Sequence, residues 1–236
     1  LELVFTAHPT EAKSDLEIIL LQQISQTLRS KEGHKGSELL RITKRLMSHI
    51  NPNTIKPTVL EEVDRNLVYF DYIYNVIPKV RKELKKSLEK YFPSVKITSR
   101  PVVKYSSWVG GDRDGHPGVT SEVHYKTAKR HHNQAIENHI TSLEDLETSA
   151  SNSTEKLKIK SIINKLESRL LDPNKRQNSY NKSSELIEDL KNLELTSETS
   201  KSMVEDLITN VEAFGFHLAQ IDTREHSKKH EEALSD

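Results

Sequence analysis

The sequence predicts an α/β protein that is predominantly α-helical. Three short apolar segments, residues 3–7, 102–109 and 214–221, each have the length of a strand. Apolar residues between them recur at the three- and four-residue spacing of helices. Each segment is followed by polar residues and then by a helical pattern, which is the order expected of parallel βα units.

The predicted helices occupy the stretches between these segments. Thr120 or Ser121 can cap one of them with a side-chain oxygen. Pro78 lies inside the longest pattern and predicts a kink or break near Ile77, because proline has no N–H to donate. The polar, glycine-free stretch 174–184 is expected to be a mobile surface loop. In chain order, the predicted helices cover residues 17–28, 39–50, 59–91, 120–146, 156–171, 185–193 and 198–213.

The composition limits the classes of partner and the cellular compartments that can be expected. Lys plus Arg and Asp plus Glu both total 35, so the net charge is zero and nothing favours nucleic acid or an anionic membrane as a partner. The sequence has no cysteine, which excludes disulfides and thiolate chemistry and fits a reducing compartment. No stretch approaches the ~20 apolar residues that span a bilayer, and the opening residues lack the pattern of a signal peptide.

The low content of hydrophobic residues suggests that the chain is part of a longer protein. Hydrophobic residues make up only 34% of the sequence, which is low for a self-sufficient globule of this length. Either the helices are long and solvated, or their apolar faces rest on a missing part of the protein. The chain opens with Leu1 rather than Met and closes on the polar run 228–236. We therefore expect a piece of a longer protein, with a processed or trimmed chain as the alternative.

The strongest chemical signal is the glycine loop, residues 108–118. It begins with the only tryptophan of the chain, Trp108, and holds four of its seven glycines, which allow a backbone to approach a ligand closely. Arg113 lies between Asp112 and Asp114, so carboxylates can orient a guanidinium fork that suits carboxylate or phosphate oxygens. The alternative is a tight structural turn with a surface ion pair, but the density of glycines favours a function. The glycines are Gly110, Gly111, Gly115 and Gly118.

A histidine follows the first predicted strand. His8 is held by Pro9 and lies near Glu11, which can set the tautomer of an imidazole that exchanges protons near neutral pH. In the alternative, Thr10 caps the next helix and His8 is a satisfied turn residue. Taken alone, this segment is better explained by that alternative.

A second arginine follows the third predicted strand. Arg224 can meet an oxyanion while Asp222 supports it, although a salt-bridged surface arginine is the better interpretation of this segment alone. His8, the glycine loop and Arg224 all follow successive strands, whose ends meet in parallel α/β proteins. Together they predict a site that handles oxyanions and moves a proton.

Other histidines carry less information. His226 and His230 stand four residues apart beside Glu225, which resembles half of a zinc site, but no third ligand is evident and no metal is expected in this chain. His131 and His132 are most simply explained as part of a solvated helix face.

The strand-end segments resemble three signature segments of phosphoenolpyruvate carboxylases, in the order of that family. The segments are FTAHPTEA (residues 5–12), SWVGGDRDGHPGVT (residues 107–120) and IDTREHS (residues 221–227). The resemblance implies a (β/α)8 barrel with inserted helices. Residues 1–236 would form one partial domain with the first strands of an incomplete barrel, and the strand-tip motifs would lie at 3–12, 102–120 and 214–227.

The resemblance also implies a cytoplasmic enzyme of carbon dioxide fixation and the tricarboxylic acid cycle. Phosphoenolpyruvate and bicarbonate would give oxaloacetate and phosphate through carboxyphosphate, with Mg²⁺ or Mn²⁺ held by residues outside this chain. His8 and Arg224 would be catalytic, as proton acceptor and as anion holder. The pocket would be shaped by Trp108, Gly110, Gly111, Asp112, Arg113 and Asp114. The partners would be the rest of the barrel and further copies of the enzyme, which is a tetramer in the family.

The chain departs from the family pattern at several positions. The family usually has Asn where this chain has His116 and Gly118, and Gln where it has Glu225. Many members carry two basic residues that help to bind an activating sugar phosphate, where this chain has Ser14 and Asp15. We therefore expect no activation by glucose 6-phosphate.

Two alternatives to a carboxylase remain at this stage. The chain could be a non-catalytic helical remnant that binds small anions or a partner protein, or it could belong to a different phosphate-handling barrel enzyme. The length of the first two motifs disfavours the latter. Because the family's metal ligands and further site residues lie later in the barrel, this chain alone is expected to be inactive.

Overall fold

A computed structural model describes residues 2–6, 15–29, 35–49, 57–95, 103–114, 116–171 and 177–235. The described part is mostly helical with a small parallel sheet, which confirms the predicted α/β class. The strands are β1 (Glu2–Phe5), β2 (Lys104–Ser107) and β3 (Gln220–Ile221). The helices are α1 (Asp15–Arg29), α2 (Lys35–His49), α3 (Val59–Tyr91), α4 (Ser121–Ser149), α5 (Ser153–Leu171), α6 (Ser183–Lys191), α7 (Glu198–Phe214) and α8 (Ser227–Ser235).

The chain divides into two compact units. The larger consists of Leu1–Thr6 and Val59–Asp236, and it contains the sheet. The smaller, Ala7–Thr58, contains α1 and α2, which contact each other and bury Leu20 and Ile42. No helix in the described ranges has the length and apolarity needed to cross a membrane.

The sheet places three strand ends at one edge. Its strands run parallel in the order β1-β2-β3, with Phe5 beside Ser107 and Ser107 beside Ile221. Parallel strands leave the sheet in the same direction, so the segments that follow them emerge at a common edge. The predicted parallel arrangement of these three segments is therefore confirmed.

The third strand is much shorter than the sequence predicts. Helix α7 continues to Phe214, and Gly215 ends it with a positive φ of 54°. Phe216 and Leu218 belong to the turn that follows, where both are buried. Their alternating apolar pattern reflects burial in that turn rather than pairing in a sheet, so the predicted strand 214–221 is wrong before Gln220.

Helix α3 passes through Pro78 as one continuous element, so of the kink or break predicted near Ile77 the break is wrong, and the kink stays a prediction. Both residues are buried, and packing against the rest of the unit holds the helix together where one backbone hydrogen bond is missing. The predicted cap of α4 is confirmed, because the Val123 amide donates to the Thr120 hydroxyl at 3.2 Å.

The stretch expected to be a mobile loop is partly ordered by packing. Residues 172–176 lie outside the described part, but Tyr180 is buried in the core and its hydroxyl donates to Asp189 at 2.6 Å. Arg169 donates to the Tyr180 carbonyl at 2.6 Å, and α6 begins at Ser183. Residues 177–182 are a mostly exposed loop, as predicted, and the single aromatic residue of this polar stretch anchors it to the core.

An aromatic stack connects the helices to the sheet. The ring of Phe214 on α7 lies 5.5 Å from the Tyr74 ring on α3 and 5.2 Å from the Tyr105 ring on β2. These rings belong to a core of buried side chains that includes Phe70 and Leu218. Together they fix α7 and the turn before β3 against the sheet.

Candidate active site

The glycine loop makes a tight turn directly after β2. The amides of Gly111 and Asp112 both donate to the Trp108 carbonyl, at 2.9 and 3.0 Å. Gly110 has a positive φ of 77°, and a Cβ atom there would lie 2.2 Å from the Thr127 hydroxyl oxygen on α4. Only glycine therefore suits this position, because a side chain would be strained and would also collide with α4.

Backbone hydrogen bonds join the glycine loop to the segment after β3. The Arg224 amide donates to the Gly111 carbonyl at 3.1 Å, and the Arg113 amide donates to the Arg224 carbonyl at 2.9 Å. The Asp222 amide donates to the Ser107 carbonyl at 2.9 Å. These bonds extend the parallel pairing beyond the strands, so two of the three predicted motifs meet.

Glycine at position 111 permits this close approach. A Cβ atom there would lie 2.3 Å from the Asp222 carbonyl oxygen and 2.8 Å from the Ile221 side chain. The first neighbour is backbone and cannot rotate away. Any larger residue would push the glycine loop away from the segment that carries Arg224.

The Arg224 guanidinium lies over an aromatic face at this edge. Its central carbon is 4.9 Å from the centre of a Trp108 ring, within the range of a cation–π contact. One of its nitrogens lies 3.7 Å from an Asp112 carboxylate oxygen, and half of the side chain is exposed. Because 3.7 Å exceeds a hydrogen bond, the carboxylate orients Arg224 without taking up that N–H donor.

Arg113 is held in a similar way on the neighbouring segment. One of its terminal nitrogens lies 3.9 Å from a Glu225 carboxylate oxygen, which again exceeds a hydrogen bond. Its Nε atom is buried and has no hydrogen-bond partner among the described residues. The two arginines thus lie on segments joined through their backbones, and each faces a carboxylate at more than hydrogen-bond distance, an arrangement that suits an anion with several oxygens.

Two histidines support the glycine loop. The His124 ring on α4 bonds to the Gly110 carbonyl at 3.0 Å, a contact that sequence analysis missed. His116 accepts a hydrogen bond from the Gly118 amide at 3.0 Å within the loop itself. Burial raises the pKa of Glu62 on α3, while His116 and Arg65 oppose that rise. The His124 contact therefore ties the start of the glycine loop to α4, and the His116 contact shapes its far end.

Several predicted residues lie outside the described part of the chain. These are His8 and its neighbours 7–14, which include Ser14, together with Gly115. Asp15 is the first residue of α1. Phe5 ends β1 beside Ser107, so the chain leaves β1 at the same edge as the glycine loop.

The described residues do not provide a metal site. They contain no group of three or more His, Cys, Asp or Glu side chains with the geometry to hold an ion. Asp112 and Glu225 each face an arginine, which competes with a cation for their oxygens. Mg²⁺ and Mn²⁺ prefer several oxygen ligands, so the donors at this edge do not fit them.

The expectation that His131 and His132 lie on a solvated helix face is wrong. His131 is only 3% exposed, and His132 is half-buried and bonds to the Phe216 carbonyl of the turn 215–219. His139, fully buried, was missed altogether. The spacing offered a signal, because Thr127, His131, Ala135, His139 and Leu143 recur every four residues along the buried face of α4.

Comparison with known proteins gives a consistent result over the whole chain. The family model of phosphoenolpyruvate carboxylase matches residues 1–172 and 159–236. The chain is 28% identical to a phosphoenolpyruvate carboxylase from Synechocystis and 30% identical to one from Prochlorococcus marinus strain MIT 9215, and both alignments cover 100% of it. A carboxylase from Roseiflexus castenholzii is 25% identical over 99% of the chain.

The chain spans about 30% of the length of the curated relatives it matches. The family match nevertheless extends from the first residue to the last. It includes both the glycine loop and the Arg224 segment, which the backbone brings together. This chain therefore belongs to the phosphoenolpyruvate carboxylase family.

Proposed function

We propose that the complete protein to which this chain belongs is a phosphoenolpyruvate carboxylase, which forms oxaloacetate and phosphate from phosphoenolpyruvate and bicarbonate. The observation that supports it most is the placement of Arg113 and Arg224 on adjoining segments, with ion pairs longer than hydrogen bonds. Both substrates carry oxyanions, and guanidinium forks bind such groups through paired hydrogen bonds. Membership of the family agrees with this assignment.

In the proposed reaction, a bicarbonate oxygen attacks the phosphorus of phosphoenolpyruvate. The bond from phosphorus to the enol oxygen breaks, its electron pair stays on the enolate, and carboxyphosphate forms. Carboxyphosphate then breaks into phosphate and CO2. Carbon 3 of the enolate attacks CO2, and the product is oxaloacetate.

The arginines stabilise the charge that moves through these steps. Arg224 binds oxygens of bicarbonate or phosphate, with Trp108 covering one face of its guanidinium. Arg113 binds further oxygens from the adjoining segment. Asp112 and Glu225 keep the two guanidinium groups oriented when no substrate is bound. His8 serves as the proton acceptor in the carboxyphosphate step, as the resemblance to the family implies.

Other parts of the complete protein supply what this chain lacks. The three strands contribute to a (β/α)8 barrel, in which residues 1–236 are part of one domain. Ligands for Mg²⁺ or Mn²⁺ come from outside this chain, because the carboxylates at this edge face arginines. The enzyme works in the cytoplasm as a homo-oligomer, and glucose 6-phosphate does not activate it because Ser14 and Asp15 replace basic residues.

Replacement of Arg224 tests the proposal in the full natural protein. Arg224→Gln removes charge-assisted hydrogen bonds, so we expect kcat/KM for carboxylation to fall about 10- to 100-fold. The matched control is Lys86→Gln on α3, which removes an exposed charge paired with Glu83 at 2.7 Å. The control should retain the wild-type rate within about twofold, because surface ion pairs contribute little.

Two outcomes would contradict the proposal. Full activity of Arg224→Gln would refute the role of that arginine. Absence of oxaloacetate with the wild-type protein, despite binding of phosphate, would refute the carboxylase and favour a non-catalytic anion-binding module.

A further inference from the structure

The turn 215–219, between α7 and β3, has an unusual backbone. Gly215 has a φ of 54°, and Leu218 has a φ of 63°. A left-handed conformation is rare for a bulky residue, because its Cβ atom approaches the following carbonyl oxygen. Leu218 is also 1% exposed, so its side chain cannot escape into solvent. A residue in such a conformation persists only where the surrounding structure holds it.

Two imidazoles from one helix bond to carbonyls of this turn. His139 bonds to the Gly215 carbonyl through Nε2 at 2.8 Å, and His132 bonds to the Phe216 carbonyl through Nδ1 at 2.8 Å. Carbonyl oxygens only accept, so each of these ring nitrogens must carry a hydrogen. Both side chains extend from α4, beside the buried His131, and we call the two the histidine clamp.

The histidine clamp is connected to the other helices that surround the turn. The Tyr74 hydroxyl on α3 lies 2.9 Å from Nδ1 of His139, and it must donate because the other nitrogen carries the hydrogen. Arg169 on α5 packs over the Phe216 ring at 4.7 Å. Helices α3, α4 and α5 therefore hold the turn, in addition to α7, which leads into it.

Filling the core does not by itself account for this arrangement. Burial of a polar group costs free energy unless it is fully bonded, and His131 leaves its Nδ1 atom without a partner among the described residues. Apolar side chains on the same face of α4 would avoid that cost, but they would leave the Gly215 and Phe216 carbonyls without these donors.

The turn leads directly to the candidate active site. β3 follows it at once, and the Asp222 amide then bonds to the Ser107 carbonyl at the end of β2. Two residues later, Arg224 pairs through its backbone with the glycine loop. A change in the direction of the turn would therefore displace Arg224 from Trp108 and Asp112.

We propose that His132 and His139 are positioning residues that hold the strained turn 215–219 and thereby place Arg224 at the candidate active site. Their effect on catalysis rests on the proposed function, whereas their effect on the backbone does not. Burial lowers the pKa of His139 to about 4, so it is neutral near pH 7, which leaves Nδ1 free to accept from Tyr74.

Hydrogen exchange of the full natural protein at pH 7, resolved by peptide, tests the clamp without any substrate. His139→Leu removes the donor to Gly215, while His139→Gln keeps an N–H at a similar distance along the side chain. Leu190→Ala on α6 is the matched control, because it creates a core cavity but removes none of the turn's hydrogen bonds.

In His139→Leu, we expect the amide exchange rate of residues 216–226 to rise at least tenfold more than that of α6. In His139→Gln, this rate should return to within about threefold of the wild-type value. Leu190→Ala should raise exchange in α6 at least as much as in residues 216–226. A uniform rise in His139→Leu, or no rise, would overturn the clamp. If His139→Leu does not fold, the half-buried His132 gives the same comparison through His132→Ala and His132→Asn.

The carboxylation activity of the same variants tests whether the histidine clamp places Arg224. His139→Leu should lower kcat/KM for carboxylation about tenfold, His139→Gln should restore most of it, and Leu190→Ala should leave it unchanged. A faster-exchanging segment with unchanged activity would refute the effect on Arg224. An inactive wild-type protein would refute the proposed function, and the exchange result would still decide whether the clamp holds the turn.

Discussion

At Gly111, the addition of a single methyl group should move the glycine loop away from the segment that carries Arg224. In Gly111→Ala the added Cβ atom would lie 2.3 Å from the Asp222 carbonyl oxygen, a distance that real Cβ atoms essentially never show. The neighbour is backbone, so relief requires the glycine loop to move away from β3. Two hydrogen bonds then weaken, from the Arg224 amide to Gly111 and from the Arg113 amide to Arg224.

The size of the effect follows from these contacts. Overpacking costs about 1–3 kcal/mol, and each of the two weakened hydrogen bonds adds about 1 kcal/mol, so we expect a loss of about 3–5 kcal/mol. Gly36→Ala on α2 is the matched control, because an added Cβ atom there meets nothing within 4 Å. It should stabilise α2 slightly, by at most about 1 kcal/mol, since alanine favours a helix over glycine.

Native-state hydrogen exchange of the Arg113 and Arg224 amides measures this loss as a free energy of local opening. The same variant should lose most carboxylase activity while Gly36→Ala retains it. Protection of both amides in Gly111→Ala equal to that of the wild type would refute the close approach of the glycine loop to β3.

Two further predictions concern the stability of the larger unit. The pKa of His131 and of His139 is about 4 in the folded protein, below the ordinary 6.5, so the folded state binds fewer protons than the unfolded state. Their full contribution to the free energy of unfolding is present above pH 6.5 and is lost towards pH 4, by up to about 3 kcal/mol for each histidine. Urea unfolding from pH 7 to pH 4.5 should show this loss. An equal loss in the double variant H131Q/H139Q would contradict it. Tyr180→Phe removes the 2.6 Å hydrogen bond to Asp189 and should cost about 1–3 kcal/mol in the same measurement, whereas an unchanged midpoint would mean that the bond contributes nothing.

The sequence was most informative where local chemistry determines structure. The cap at Thr120 and the bounds of the long helices follow from side-chain oxygens and apolar spacing, which act within a few residues. The meeting of Arg113 and Arg224 was predicted from the rule that parallel strands end at one edge. That rule fixes which segments adjoin but says nothing of the 4.9 Å contact between Arg224 and Trp108.

The errors arose where tertiary contacts decide the outcome. Phe216 and Leu218 alternate like strand residues, but the buried turn that contains them depends on histidines about 80 residues earlier in the chain. Tyr180 orders a polar stretch through Asp189, a contact that composition cannot show. His139 carries no motif at all, and its role appears only when the carbonyl that it binds is known.

The most direct test of the central claim is to supply the full natural protein with phosphoenolpyruvate, bicarbonate and Mg²⁺ and to measure oxaloacetate. We predict oxaloacetate and phosphate in equal amounts, dependent on bicarbonate and strongly reduced by Arg224→Gln. Oxaloacetate production that Arg224→Gln leaves unchanged, or none at all from the wild-type protein, would contradict the claim that these arginines form part of a carboxylase active site.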